Sequence, residues 1–474
     1  MKTDKLHTAL SEIDPALVAR AADMPKTAGV KRRKRIGWIS AIAALLAIAI
    51  ILPLSLINPT QSPYALSMAI YPEMARYPGS ELVPGFEARY EAWRESQIER
   101  RFYLGKGEGL EDFFSKTASA FLGDGDENLV YSPLNVYFAL AMLAEISEGE
   151  TRNELLTLLS SGSIEALRTQ AHAIWNANYC DDGSVTSILA SSLWLDQDMR
   201  YNEDVIKTLT DRYYASSFQG EMGDKSYSKA FQNWLNRETG GLLKDYIDEL
   251  EFSPQTVMAI ATTILFQAKW DEEFKEKNNE TMPFHAKNGD LPCEFMKDTD
   301  EYGRYYWAEK FSATRRDLEE SGTMYFILPD EGVTVQELLK DSEALAFLAS
   351  NGNWENQKML RVNLALPKFE VSSKLDLAEG LKSLGVTSCF DPENADFSAL
   401  LDDSTPAWLD TIEHGASVSI DEEGVTAAAY TAMILAGSPM PPEDEIDFTL
   451  DRPFLFVITG VDGLPLFIGT VQTP

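Results

Sequence analysis

The chain has 474 residues, of which 45% are hydrophobic and 24% charged, a balance typical of a globular protein with a large core. Asp and Glu number 74 and Lys and Arg number 41, so the formal net charge is −33. This excess of acid argues against a nucleic-acid partner, because affinity for nucleic acid depends on basic contacts to phosphates.

The cysteine and histidine residues do not form the patterns of a metal site or a disulfide framework. Cys180, Cys293 and Cys389 are odd in number, far apart and without CxxC spacing, so we interpret them as small core hydrophobes. The histidines are scattered and include no HExxH pair: His7, His172, His285 and His414. We therefore predict neither a metal nor a cofactor.

Residues 36–57 form an uncharged apolar run of 22 residues. About 20 helical residues cross the hydrocarbon core of a bilayer, and Trp38 stands near one end, where an interfacial aromatic is favoured. The run exceeds the core of a signal peptide, which spans roughly 7–15 residues. We predict an uncleaved transmembrane helix, with a cleaved export signal and a secreted protein as the alternative.

The charges that flank this run predict its orientation. Five consecutive basic residues, 31–35, precede it, and positive flanks stay on the cytoplasmic side. Residues 1–35 carry nine basic and four acidic side chains, which leaves −38 for the rest of the chain. A short basic cytoplasmic head and a large acidic body outside the membrane are expected, an arrangement that fits a bacterial surface.

Residues 58–108 are predicted to be an extracellular tether that packs on the body. Five prolines exclude a long helix before Gly85, and one helix is expected over Gly85–Arg101. From about residue 109 to residue 474 the pattern is globular, with no repeat and no low-complexity linker. This indicates one large domain.

Within this domain, helical periodicity comes first and strand-like runs follow, which predicts an α+β fold. The expected helices are Leu110–Leu122, Pro133–Ser147, Thr151–Leu159 and Ser226–Glu238. The expected strands are Met258–Leu265, Thr323–Leu328, Leu360–Leu364, Ala416–Ile420, Pro453–Thr459 and Pro465–Val471. The last two strands flank Asp462-Gly463, which predicts a hairpin.

Several motifs, in order across residues 109–474, resemble those of the serpin family. They are Asn128–Pro133, Asn233-Trp234 with Thr239-Gly240, Phe266–Trp270, Leu366–Phe369, Ala395–Ser398, Asp421–Thr431, Asp451–Phe454 and Phe467–Gly469. One detail departs from the family, because Gly240 stands one position early. Each motif alone is weak, but together and in this order they indicate the family.

The resemblance implies three β-sheets, eight or nine helices and an exposed reactive loop. In serpins a protease cleaves the loop and becomes acylated on its catalytic Ser or Cys. The loop then inserts as a strand into the central sheet, and the distorted protease cannot complete hydrolysis. We therefore expect a monomeric suicide substrate, not an enzyme, whose partner is a serine protease held in a covalent complex, with a cysteine protease as the alternative.

The first part of the loop has the residues that insertion requires. Gly424 is permissive for a hinge, alanines pass easily between strands, and no proline or charge occurs from Gly424 to Ser438. These 15 residues span roughly 50 Å when extended. The hinge residues are Glu422, Gly424, Val425, Thr426, Ala427, Ala428, Ala429, Tyr430 and Thr431.

Strand alternation assigns these hinge residues to two faces of the inserted strand. The odd-numbered residues from Val425 to Thr431 share the face expected to be buried. The even-numbered residues share the other face, where Tyr430 is expected to stay exposed.

The position of the scissile bond is left open among four bonds. Counting 17 residues from Glu422, the usual family spacing, places it after Ser438, but Pro439 follows and proteases rarely cut before proline. The candidates are Leu435, Ala436, Gly437 and Ser438. All are small or aliphatic, which predicts an elastase-like or subtilisin-like target.

A polar cluster that controls sheet opening in the family is also present. Ser132 and His414 match family positions, whereas Asn135 stands where the family has Ser and Thr262 stands where it has Asn. We interpret this as an exchange that rebuilds a hydrogen-bond network with His414, and the alternative is two independent substitutions. His414 is interpreted as a structural histidine because no nucleophile motif accompanies it.

Three other functions remain open. A non-inhibitory serpin could act as a surface-binding or scaffold protein, with the same fold and a loop that does not insert. A hydrolase is disfavoured, because no acid/base pair stands in a matching motif. A membrane sensor would need its 35-residue head to signal, and the head contains no recognisable motif.

Overall fold

The computed structural model describes residues 62–79, 84–123, 125–401, 406–409, 412–425, 442 and 444–474. Within these ranges no helix is both long and apolar enough to cross a membrane. The predicted head and span, residues 1–35 and 36–57, lie outside the described residues. Both therefore stay predictions.

The helices of the described residues include all five that the sequence predicts, with ends shifted by one or two residues. They are α1 (Phe86–Arg101), α2 (Glu111–Leu122), α3 (Pro133–Ile146), α4 (Gly149–Leu158), α5 (Ile164–Asn178), α6 (Glu203–Tyr213), α7 (Lys225–Glu238), α8 (Lys244–Ile247), α9 (Val335–Leu338), α10 (Ser342–Leu348) and α11 (Ala378–Ser383). Eight or nine were expected in the domain. The described part of 109–474 holds ten, of which α8 and α9 are single turns.

Polar side chains at the N-termini explain where several helices begin. Ser132 precedes α3, and its hydroxyl accepts a 3.2 Å hydrogen bond from the backbone of Asn135. Asp224 accepts in the same way at the start of α7, from the backbone of Ser226 and Tyr227. Such caps satisfy backbone donors that have no partner inside the helix.

The strands, in chain order, are β1 (Ala65–Ser67), β2 (Leu129–Tyr131), β3 (Cys180–Asp181), β4 (Thr186–Asp196), β5 (Ala215–Gly220), β6 (Met258–Lys269), β7 (Glu280–Ala286), β8 (Gly289–Trp307), β9 (Phe311–Leu318), β10 (Gly322–Pro329), β11 (Gln357–Pro367), β12 (Phe369–Asp376), β13 (Glu413–Ile420), β14 (Gly424–Val425), β15 (Glu445–Thr449), β16 (Phe454–Thr459) and β17 (Pro465–Val471). The predicted hairpin is confirmed, because β16 and β17 pair antiparallel.

Among the described residues, the strands form two sheets where three were expected. The central sheet has the order β1-β5-β4-β6-β14-β13-β12, with β3 beside β4. The second sheet has the order β15-β11-β8-β9-β10-β16-β17-β2, with β7 beside β8. The 19-residue strand β8 pairs with β7 along its first part, with β11 along the rest and with β9 at its end, so it joins groups of strands that would otherwise be separate sheets.

The core lies between these two sheets. Helix α3 packs against β6 of the central sheet and β17 of the second sheet. Every residue of α3 except Ala139 is buried, which explains why this helix is apolar on all sides. Helix α3 therefore packs beneath β6, on the core side of the central sheet.

The described residues before 109 pack on this body. Strand β1 pairs with the edge strand β5. The indole nitrogen of Trp93 on α1 donates to Asp182 Oδ2 at 2.8 Å, and both side chains are buried. Arg100, also buried, donates to the carbonyl of Ala177 at 2.8 Å. The boundary predicted between tether and domain, at residues 108 and 109, stays a prediction.

Candidate functional site

The central sheet contains a slot between β6 and β13. β6 pairs with β4 from Met258 to Gln267, but on its other side the described ladders reach only its last two residues. There β14 lies between the two strands: Gly424 pairs with Lys269, Val425 pairs with Ala268, and Val425 also pairs with Ile420 of β13. Gly424 and Val425 of the predicted hinge thus form a strand at one end of this slot.

The backbone of residues 421–423 is fixed to the segment that follows β6. The amide of Trp270 donates to the carbonyl of Glu423 at 3.0 Å, and its indole nitrogen donates to the carbonyl of Asp421 at 2.9 Å. The amide of Phe274 donates to the carbonyl of Glu422 at 3.0 Å. These three bonds hold the start of the loop in register with β6.

The carboxylate of Glu422 is held by two polar side chains. Its Oε1 lies 2.7 Å from Lys368 Nζ and accepts a 2.5 Å bond from Asn279 Nδ2. Burial alone would raise the pKa of Glu422, but the hydrogen bonds from Lys368 and Asn279 lower it overall. Glu422 is therefore a charged anchor at the entrance of the slot.

Gly424 is required by a close approach of two backbones. A Cβ atom at this position would lie 2.3 Å from the carbonyl oxygen of Ala268 and 2.7 Å from Cα of Lys269. Because both obstacles are backbone atoms, a side chain cannot be accommodated without moving β14 away from β6. From the sequence alone, Gly424 is explained by the backbone freedom that a hinge needs. The structure adds a steric reason for glycine at this position.

The polar cluster Ser132, Asn135, Thr262 and His414 is brought together beneath the slot. Asn135 Nδ2 donates to the backbone carbonyl of Thr262 at 3.0 Å, and Thr262 Oγ1 donates to the backbone carbonyl of Asn135 at 3.2 Å. Asn135 and Thr262 therefore each bond to the backbone of the other. This pair links α3 directly to the middle of β6.

His414 joins the cluster through the backbone of Ser132. Its Nε2 accepts a 3.0 Å hydrogen bond from the Ser132 amide, so the neutral ring is required. Burial lowers the pKa of His414 from 6.5 to about 4. No direct bond between His414 and the side chains of Asn135 or Thr262 occurs among the described contacts, so the expected network is connected through Ser132.

The rest of the reactive loop lies outside the described residues. This applies to the hinge residues Thr426, Ala427, Ala428, Ala429, Tyr430 and Thr431, and to Leu435, Ala436, Gly437, Ser438 and Pro439 around the scissile bond. Their predicted roles stay predictions.

Sequence reasoning missed the partners of the hinge. Lys368 and Trp270 were noticed only as parts of motifs, and Asn279 was not noticed. Their contacts join positions far apart in the chain, such as Asn279 and Glu422, which lie 143 residues apart. The one available signal was a lone Lys beside a Pro in Leu366–Phe369, directly before a strand.

Other reactive groups are sparse in the described part of the chain. No group of three or more His, Cys, Asp or Glu side chains there could hold a metal ion. The three cysteines are free. Cys180 and Cys389 are buried, and burial raises the pKa of each thiol to about 12.

Comparisons with known proteins agree with this geometry. A family model described as "Serpin (serine protease inhibitor)" matches residues 110–474. The chain belongs to the serpin family. It is 28% identical to Serpin-ZX of Arabidopsis thaliana over 364 residues, which covers 74% of this chain and 93% of that protein.

Two further similarities cover nearly the whole of the other protein. A "Serine protease inhibitor" of Cyanea capillata is 27% identical over 378 residues, 76% of this serpin and 96% of that protein. Among solved structures, the thermophilic serpin tengpin in its native state has a TM-score of 0.68 and 27% identity, covering 79% of this chain and 94% of that one. The relatives named come from a plant and an animal, so the bacterial surface stays a prediction.

Proposed function

We propose that this serpin is an inhibitor that traps a serine protease as a suicide substrate. The observation that carries the proposal is the slot between β6 and β13, with β14 already paired at one end. A strand that continues from β14 would pair with β6 and β13 along the slot. This arrangement supports insertion of the cleaved loop.

The register of β14 supports the length of the insertion. Continuing the antiparallel pairs Gly424–Lys269 and Val425–Ala268 places Thr431 opposite Thr262 and Leu435 opposite Met258, the first residue of β6. On the other side, continuing Val425–Ile420 places Thr431 opposite His414. The candidate scissile bonds therefore reach the far end of the slot when the loop is inserted.

The proposed reaction begins as ordinary proteolysis. The protease serine attacks the carbonyl carbon of the scissile peptide, the new amino terminus leaves, and an ester joins the two proteins. Insertion of the loop before water attacks that ester carries the protease along β6. Because candidates Leu435 to Ser438 include no Lys or Arg, an elastase-like or subtilisin-like protease is the proposed target.

The proposed location is the outer side of a cell membrane, with the N-terminus in the cytoplasm. It rests on the apolar run 36–57, the basic run before it and the acidic remainder of the chain. Secretion after cleavage of the run is the alternative. The inhibitor is proposed to act as a monomer without nucleic acid or cofactor.

The test uses residues 58–474 mixed with pancreatic elastase or subtilisin. We expect a band at the summed mass that survives boiling in detergent, together with a released peptide whose mass identifies the scissile bond. A loop that is cut without this band and without a rise in thermal stability would contradict inhibition. The non-inhibitory surface-binding function would then replace it.

A matched pair of variants sharpens this test. Thr431→Arg would place a charge between Thr262 and His414 on the buried face, which insertion cannot tolerate. Ala432→Arg places the same charge on the opposite face. We expect the first variant to be cleaved as a substrate without a covalent band and the second to retain trapping.

A further inference from the structure

The two faces of the slot differ in what covers them. Thr262 points to α3, because its hydroxyl bonds to Asn135. Thr263, the next residue, therefore points to the opposite face. On the neighbouring strand β4, Thr263 pairs with Ala190. Ala190 packs in a cluster with Trp194 and Trp234. This face lies beneath α7 and the segment that follows it.

A recess between β6 and β13 opens on this face. On this face it is lined by Thr239, Leu242, Leu243, Thr263 and Gly415, and it continues between the two strands to Ser132 and Asn135 on the α3 side. Leu242 is 43% exposed, so the recess is open to solvent beside this side chain. On the α7 face, the recess therefore has two leucines on one side and a glycine of β13 on the other.

Gly415 leaves β13 without a side chain beside the recess. A Cβ atom there would make an ordinary 3.4 Å contact with Leu243 Cδ1, so neither a backbone clash nor, at this position, a positive φ requires glycine. The absent side chain instead leaves space between Leu243 and the neighbouring strand. An aromatic ring on an adjacent strand can cover such a glycine.

Thr263 provides an independent sign that a neighbour is absent. Thr263 is only 6% exposed, and its Oγ1 has no hydrogen-bond partner. Buried hydroxyls normally have a partner. The recess therefore lacks a group on the side that faces the slot.

We propose that the recess is the binding site for the side chain of Tyr430 in the inserted loop. The pairs Gly424–Lys269 and Val425–Ala268 place Tyr430 opposite Thr263, and the pair Val425–Ile420 places it opposite Gly415. Side chains that are directly opposite share a face of the sheet. The phenol ring then covers Gly415, packs on Leu242 and Leu243, and fixes the loop in one register.

This proposal rests on the proposed insertion mechanism and changes one expectation from the sequence. Alternation alone leaves Tyr430 on an exposed face. The recess gives that face a specific aromatic site, so one bulky residue among the alanines of the hinge becomes a determinant of the inserted state.

The experiment measures unfolding of the full chain in non-denaturing detergent, before and after the loop is cut by a trace of subtilisin. The parent is expected to unfold at a markedly higher guanidinium concentration once cut. Tyr430→Ala is expected to lose a clear part of that rise, while the uncut variant reports on correct folding. An equal rise in the parent and in Tyr430→Ala overturns the Tyr430 site but leaves insertion intact.

A matched double variant tests whether the position of the tyrosine in the loop matters, or only its presence. Ala428→Tyr combined with Tyr430→Ala keeps one tyrosine but places it opposite Leu265 and Ser417, where no glycine leaves space. It is expected to behave like Tyr430→Ala, and a full rise would overturn the proposal. If the cut parent shows no rise at all, insertion fails, and the proposed function fails with it.

Discussion

His414 makes stability depend on pH in a defined window. The buried neutral ring accepts from Ser132, and its pKa is about 4 in the folded chain against an ordinary value of 6.5. The unfolded chain therefore binds the proton first as pH falls. The contribution of His414 is complete above pH 6.5 and is lost between pH 6.5 and 4, by up to about 3 kcal/mol.

His414→Gln tests this window, because Gln can still accept from the Ser132 amide but does not titrate. Guanidinium unfolding at pH 7, 6, 5 and 4 should show a steeper loss of stability in the parent than in the variant. Parallel curves for the two proteins would show that His414 does not carry the effect.

Asn135 and Thr262 should be coupled although each bonds only to backbone of the other. In Asn135→Ser a shorter side chain no longer reaches the Thr262 carbonyl, and in Thr262→Asn two amides compete for one space. The double variant restores one amide and one hydroxyl. We expect each single variant to lose about 1 kcal/mol or more, and the double variant to lose less than their sum.

Denaturant unfolding of the parent and the three variants completes this double-mutant cycle. Ser132→Ala serves as a reference for general damage to the start of α3, because it removes the cap on the Asn135 backbone amide and leaves both bonds between Asn135 and Thr262 in place. Additive losses from Asn135→Ser and Thr262→Asn would support two independent substitutions instead of an exchange.

Glu422 is the charged residue on which the entrance of the slot depends. Glu422→Gln removes the ion pair with Lys368, whereas Glu423→Gln neutralises the next residue, whose carbonyl rather than its carboxylate bonds to Trp270. We expect the first change to destabilise the native chain by about 1–2 kcal/mol and the second to have little effect. Thermal unfolding of the uncut variants measures both, and equal losses would contradict the anchor.

At the scale of elements, the sequence predicts well what local patterns encode. Helix α3 begins at the predicted Pro133 because Pro fits the first turn and Ser132 caps it. The ends of β17 match the prediction in full, and the predicted turn at Asp462-Gly463 directly precedes the strand. These signals lie within a few residues of the element that they define.

Long-range pairing explains what the sequence did not predict. Strand β8 runs through two groups of strands and contains polar stretches, so no simple alternation marks its 19 residues. Of the candidate site, the residue identities were predictable from motifs. The bonds from Lys368, Asn279 and Trp270 to residues 421–423 were not, because they depend on how distant segments meet.

At the scale of the whole molecule, residues 62–79 and 84–108 complete the body instead of merely leading to it. The ring of Tyr71 lies 5.4 Å from that of Trp175 and 5.5 Å from that of Tyr179. Strand β1 covers the open edge of β5, which would otherwise present unpaired backbone groups. These contacts join the extension to the same central sheet that contains the slot.

A chain that begins at residue 109 should therefore be less stable than one that begins at residue 62. Trp93→Ala in the longer chain isolates one contact, because it removes a buried ring and leaves Asp182 without its indole donor. We expect a loss of about 3 kcal/mol for this variant and a larger loss for the truncation. Guanidinium unfolding of the three proteins measures both losses, with Ile98→Ala, at an exposed position of α1, as the control. If the truncated chain unfolds at the same midpoint as the longer one, the extension is only a tether, and its packing on β5 and α5 contributes nothing to the body.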